Sequence, residues 1–149
     1  MKKILVVLVL ILLVYFGFTI FGGNKKSEIV DYKLDSNYVF SFSFTDSTIT
    51  QIVKRTYYVY SNEKAVEEVK TIDRSSGNII KTAYNDVKID TTVFNINDVF
   101  KSLGMDSVSL QGVFSYELYR KDTDKTYMLA ANDSLAEYIC NALKIERGK

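Results

Sequence analysis

Residues 38–45 read Tyr-Val-Phe-Ser-Phe-Ser-Phe-Thr, which is the clearest β-strand pattern in the chain. Aromatic residues alternate with smaller ones, and successive side chains of a strand point to opposite faces of a sheet. The pattern therefore predicts one wholly aromatic face, formed by Tyr38, Phe40, Phe42 and Phe44. A face of this kind is typical of an antiparallel sheet that packs one side against the core.

The residues that follow predict a hairpin and then a helix. Thr45–Ser47 supplies turn residues, and Ile49–Tyr60 is rich in β-branched and aromatic residues, which favours a second strand. Ser61 or Asn62 can then cap a helix. Its apolar residues recur at helical spacing, at Ala65, Val66, Val69 and Ile72. On such a helix the adjacent Glu67 and Glu68 would lie on a solvated face.

The remainder of the chain predicts further strands and two more helices. Residues 79–96 have a strand pattern, and a short helix carrying Val99, Phe100 and Leu103 ends at Gly104. Residues 108–120 and 126–131 form a second hairpin, and a capping box at Ser134 begins a last helix. We therefore predict an α+β domain over residues 37–149, with helices on one face of a mainly antiparallel sheet and the order β-β-α-β-α-β-β-α.

An uncharged run of 20 residues, Ile4–Gly23, lies near the N-terminus, and 15 of the 18 residues from Ile4 to Phe21 are Leu, Ile, Val or Phe. At about 1.5 Å per residue, a helix of this length crosses the roughly 30 Å hydrocarbon core of a bilayer. We interpret residues 1–23 as a signal anchor that forms a single transmembrane helix, and residues 24–36 as a polar stalk. The residues that would contact lipid include Ile4, Leu8, Ile11, Leu12, Phe16 and Phe21.

The flanks of this run bear on cleavage and orientation. A signal peptidase site needs small residues three and one positions before the cut, and cuts after Gly22 or Gly23 would place Ile20 or Phe21 there. An uncleaved anchor is therefore favoured over a cleaved, secreted form. Lys2 and Lys3 favour a cytoplasmic N-terminus, which predicts an extracytoplasmic domain at the cell membrane.

The composition excludes several classes of chemistry. The chain has no histidine, so it cannot build a Ser-His-Asp or Cys-His nucleophile or a His-ligated zinc site. Its one cysteine, Cys140, cannot form an intramolecular disulfide, and we interpret it as a buried structural thiol. Once Lys2 and Lys3 are set aside, 17 basic residues face 18 acidic ones, so the domain lacks the positive field that nucleic acid binding needs. No cofactor or metal site is predicted.

Few residues stand out as candidates for a site. Asp122 and Asp124 lie in a predicted turn but lack the further ligands of a calcium loop, so we interpret them as solvated. Tyr58, Tyr60 and Tyr119 are the candidates for a contact surface, because tyrosine combines contact area with a polar tip.

Three hypotheses about function follow. The first is a non-enzymatic, membrane-anchored bacterial binding or accessory module, with an envelope or membrane protein as partner and an unknown oligomeric state. The second is a small hydrolase that uses two carboxylates. The third is a filament subunit, because a hydrophobic N-terminal helix joined to a small α/β domain resembles a type IV pilin in outline. The chain has neither a glycine before the run nor a glutamate near its start.

Overall fold

The computed structural model describes residues 28–29, 32–104 and 114–145. Six strands form an antiparallel sheet with two helices, so the predicted α+β class is confirmed. The elements in chain order are β1 (Glu28–Ile29), β2 (Tyr38–Ser47), β3 (Gln51–Tyr60), β4 (Lys64–Asp73), β5 (Ile79–Lys88), α1 (Ile96–Gly104), β6 (Phe114–Arg120), β7 (Lys125–Ala130) and α2 (Ser134–Ala142).

The sheet has the strand order β1-β5-β4-β3-β2-β6-β7. Strands β2 to β5 form a meander in which each strand pairs with the next, and the β6–β7 hairpin adds to the other side of β2. The two-residue β1 pairs in parallel with β5, so part of the expected stalk adds to the sheet edge. As a result, β2 and β3 lie near the middle of the sheet.

The helix predicted after Tyr60 is wrong, because residues 64–73 form strand β4. A tight turn replaces the expected helix cap: Glu63 has a φ of +60° and its N–H donates to the carbonyl oxygen of Tyr60 at 3.1 Å. β4 pairs on both sides, with β3 and β5. Its apolar residues are divided between the two faces, with Ala65 on the core side and Val66 on the other, so the period-2 alternation that marks a half-exposed strand is lost.

The wholly aromatic face predicted for β2 is also incorrect at its first residue. Tyr38 pairs with Tyr60, whereas Phe40 pairs with Val59, so one extra residue lies between the two pairs on β2. A bulge of this kind turns the residues before it to the other face. Tyr38 consequently lies on the other face of the sheet from Phe40. There its ring centroid is 5.0 Å from that of Tyr58.

The core lies between the sheet and both helices. Phe40 and Phe42 are fully buried there, and each large apolar side chain of this kind contributes roughly 1.5–3 kcal/mol. Asp133 caps α2 by accepting hydrogen bonds from the N–H groups of Leu135 and Ala136, one residue before the predicted cap. Cys140 is buried on this helix, as predicted. The other buried apolar core residues are Tyr57, Val59, Ala65, Ile89, Phe94, Val99, Leu118, Leu129, Leu135, Ala136, Ile139, Ala142 and Leu143.

The membrane prediction falls on a part of the chain that lies outside the described residues. This applies to the anchor as a whole and to each of its lipid-contact residues, Ile4, Leu8, Ile11, Leu12, Phe16 and Phe21. Within the described ranges, neither helix has both the length and the apolar composition needed to cross a bilayer.

Candidate functional site

The three tyrosines predicted as a contact surface lie on the sheet face opposite the core. Ser41 pairs with Tyr58 on one side and with Tyr119 on the other, and directly paired residues point to the same face. Tyr60 follows Tyr58 on this face by alternation. Tyr58 and Tyr119 are half-buried, whereas Tyr60 is only 9 % exposed and its hydroxyl donates to the carbonyl oxygen of Asp35 at 3.1 Å.

Two further tyrosines, which the sequence pattern did not indicate, belong to this surface. Tyr38 reaches it through the bulge in β2, and the Lys121 ammonium lies 4.7 Å from its ring centroid. Tyr84 pairs with Glu68 in the β4–β5 register and stacks on Tyr32 at 4.5 Å. We call the surface formed by Tyr38, Tyr58, Tyr84 and Tyr119 the tyrosine face.

A buried carboxylate holds two of these phenols in place. Glu68 is 5 % exposed, and it accepts hydrogen bonds from the Tyr84 hydroxyl at 2.8 Å and the Tyr58 hydroxyl at 3.3 Å. The Lys70 ammonium completes the cluster at 2.8 Å. Burial raises the pKa of Tyr84 to about 12, and the hydrogen bond to Glu68 adds to this shift. Burial and Glu68 likewise raise the pKa of Tyr58 well above its ordinary value. Both hydroxyls therefore stay protonated donors at neutral pH.

A second buried carboxylate lies on the opposite face of the same strand. Glu67 accepts hydrogen bonds from the Arg55 guanidinium at 2.8 Å, the Tyr57 hydroxyl at 2.8 Å and the Asn85 amide at 2.9 Å. Burial alone would raise the pKa of Glu67, but these three donors outweigh burial and lower it. Burial and the bond to Glu67 raise the pKa of Tyr57. Glu67 is thus held as a carboxylate in a neutralised cluster.

A cleft of about 720 Å³ opens beside the Glu67 cluster, on the core side of the sheet, where residues after α2 meet the ends of β2 and β3. Phe44 lies at the centre of its aromatic wall, 6.2 Å from the ring of Tyr57 and 5.7 Å from that of Tyr116. Arg55, Asp46 and Lys144 add charge to the lining. We call this the aromatic cleft. It combines rings, cations and a carboxylate in one cavity.

The remaining acidic candidates are engaged with neighbouring side chains. Asp122 forms an ion pair with Arg120 at 2.6 Å, and Asp124 accepts a hydrogen bond from the Tyr119 hydroxyl at 2.9 Å. Both stay in an exposed turn. In the part of the chain that the structure describes, no group of three or more Cys, Asp or Glu residues is placed to hold a metal ion.

Comparisons with protein-family models, with curated proteins and with solved structures gave no significant match to this chain.

Proposed function

We propose that this chain is a single-pass membrane protein, anchored in the lipid bilayer by residues 4–23, whose folded domain is a non-enzymatic binding module on the extracytoplasmic side. The 20-residue uncharged run supports the anchor, because such a run is several kcal/mol more favourable in lipid than in water. The partner that we propose is a protein of the membrane or the cell envelope.

The observation that carries the binding proposal is the construction of the tyrosine face. Its rings sit on a rigid sheet, and Glu68 and Asp124 fix three of the phenols, those of Tyr58, Tyr84 and Tyr119. Pre-positioned tyrosines provide contact area at a small cost in side-chain entropy, which is why they are enriched at interfaces. The near balance of charge in the domain favours a protein partner over nucleic acid.

The carboxylate-hydrolase hypothesis has weaker support. A general acid needs a raised pKa, whereas the pKa of Glu67 is lowered. Asp46 is the acidic residue of the nearby cleft, and its Oδ2 atom lies 4.0 Å from Arg55, the same guanidinium that binds Glu67. The filament hypothesis depends on residues 4–23, which lie outside the described residues.

Two measurements test the proposal. Protease treatment of intact cells, with a tag at the C-terminus, should remove the tag if the domain is extracytoplasmic, and full protection would overturn the topology. For binding, a photoreactive amino acid at position 119 should cross-link to a specific protein in living cells. The matched control is position 101, where Lys101 is exposed on α1. Equal cross-linking at both positions, or none at 119, would contradict a contact role for the tyrosine face.

A further inference from the structure

The aromatic cleft lies on the opposite side of the sheet from the tyrosine face, so it offers a second, separate site. We propose that it binds an acidic sugar, meaning a sugar ring that carries a carboxylate or a phosphate group. This goes beyond the proposed partner-binding function and does not depend on it. The cleft volume, about 720 Å³, lies within the range of roughly 300–1,000 Å³ that is usual for small-molecule sites.

Arg55 provides the anion-binding group of the aromatic cleft. Its Nη1 atom is bound to Glu67 at 2.8 Å, and its Nε atom lies 4.0 Å from Asp46, so the guanidinium is fixed in orientation. Arg55 lines the cleft, and a guanidinium carries five N–H donors, more than its contacts with Glu67 and Asp46 use. A guanidinium held in this way is pre-organised for a carboxylate or phosphate oxygen.

Lys144 supplies a second cation at the rim of the cleft. It follows α2 with a φ of +54°, and the hydrogen bond from the Ile145 N–H to the Cys140 carbonyl oxygen at 2.9 Å fixes the backbone there. Lys144 is exposed, whereas the Arg55 side chain is 38 % exposed. A ligand that reached both cations would therefore have one end near Glu67 and the other near solvent.

The rest of the lining suits a sugar ring better than a bare anion. Phe44 and Tyr116 are half-buried, so part of each ring can contact the apolar C–H face of a sugar. Asp46 and the hydroxyl-bearing Ser115 also line the cleft and provide acceptors and a donor for sugar hydroxyls. An acidic sugar uses the aromatic, hydroxyl-binding and cationic parts of the lining together.

The test uses the full chain in detergent micelles and four probes: glucuronate, glucose 6-phosphate, glucose and inorganic phosphate. Ligand-detected nuclear magnetic resonance and isothermal titration calorimetry measure binding. We expect at least one acidic sugar to bind at least about tenfold more tightly than glucose or inorganic phosphate, a ratio worth about 1.4 kcal/mol. Which acidic sugar is preferred then distinguishes a carboxylate from a phosphate ligand.

Three variants locate the binding. Arg55→Lys keeps the charge but loses the planar fork, and it should weaken binding about tenfold. Lys144→Gln, at an exposed position, should weaken binding several-fold without affecting the fold, which circular dichroism checks. The matched control is Lys54→Gln, because Lys54 pairs with Thr45 and Lys70 on the opposite face of the sheet and should leave binding unchanged.

Four results would overturn the proposal. The first two are that neither acidic sugar binds up to its solubility limit, and that inorganic phosphate binds as tightly as the acidic sugars. The third is that Lys54→Gln weakens binding as much as Lys144→Gln. The fourth is that neither Lys144→Gln nor Arg55→Lys changes the affinity. Partner cross-linking from position 119 is measured separately, so failure of one proposal is distinguishable from failure of the other.

Discussion

Glu67 and Glu68 are adjacent in the chain, yet they organise different surfaces. Glu67 lies on the core side of the sheet, where Arg55 links it to the aromatic cleft, and Glu68 lies on the other side beneath the tyrosine face. They are 9 % and 5 % exposed, and each is neutralised by one cation and hydrogen-bonded by tyrosine. A strand places neighbouring side chains on opposite faces, so a single dipeptide anchors two polar clusters.

The largest effect should come from removing the carboxylates one at a time. Glu67→Ala should lower the free energy of unfolding by about 2–3 kcal/mol, because three donors lose a common acceptor. Glu68→Ala should cost about 1–2 kcal/mol, since one of its hydrogen bonds is longer and Lys70 can be rehydrated. Urea unfolding of the full chain in mild detergent, followed by circular dichroism, measures both. The control is Glu137→Gln on the exposed side of α2, with an expected change within about 0.5 kcal/mol.

The Glu67 cluster should also make stability depend on acid pH. Because the pKa of Glu67 is lowered in the folded state from its ordinary 4.5, the unfolded chain binds a proton more readily. The stabilisation is therefore complete above pH 4.5 and is lost as the pH falls through the lowered folded-state pKa. In urea unfolding at a series of pH values, the advantage of the wild-type chain over Glu67→Gln should shrink below pH 4.5. A constant difference would show that Glu67 is not held as a carboxylate.

Single hydroxyl deletions should distinguish the two clusters on a smaller scale. Tyr57→Phe should cost about 1 kcal/mol and Tyr58→Phe about 0.5 kcal/mol, because their hydrogen bonds to the glutamates are 2.8 Å and 3.3 Å long. Thermal unfolding of the two variants side by side measures the order. The reverse order would mean that Glu68, and not Glu67, holds its tyrosine more firmly.

The smallest effect should appear in alkaline titration. The pKa of Tyr84 is about 12, so its stabilising contribution is complete below pH 10 and is lost as the pH rises towards 12. Tyrosinate absorbance should therefore include a late-titrating component that Tyr84→Phe reduces. Glu68→Gln should move this component to lower pH, because the neutral amide removes the charge that opposes ionisation. An unchanged titration in both variants would contradict the contact.

Residues with a half-exposed pattern were predicted correctly from sequence. The aromatic alternation of β2 from Phe40 onward reflects one face turned to the core, the β6–β7 hairpin follows its turn residues, and the apolar positions of α1 reflect a single buried side. The local sequence pattern was sufficient in these elements because one face of each packs against the core.

The errors arose where burial is two-sided or register is irregular. In β4, Glu67 and Glu68 are buried polar residues whose hydrogen-bonding tyrosines, arginine and asparagine come from β3 and β5. Nothing local to residues 64–73 identifies those donors. The bulge after Tyr38 depends on pairing with Tyr60, at the far end of the next strand. Tyr58 and Tyr119 were identifiable by residue type, whereas Tyr84 and the aromatic cleft required the strand order.

A pair of double-mutant cycles tests the central claim, that β4 directs Glu67 and Glu68 to opposite faces. One cycle combines Tyr57→Phe with Glu67→Gln, and the other combines Tyr57→Phe with Glu68→Gln, both measured by urea unfolding. We predict a coupling energy of about 1 kcal/mol in the first cycle and about zero in the second. Similar coupling of Tyr57 to both glutamates would contradict the strand and the two surfaces built on it.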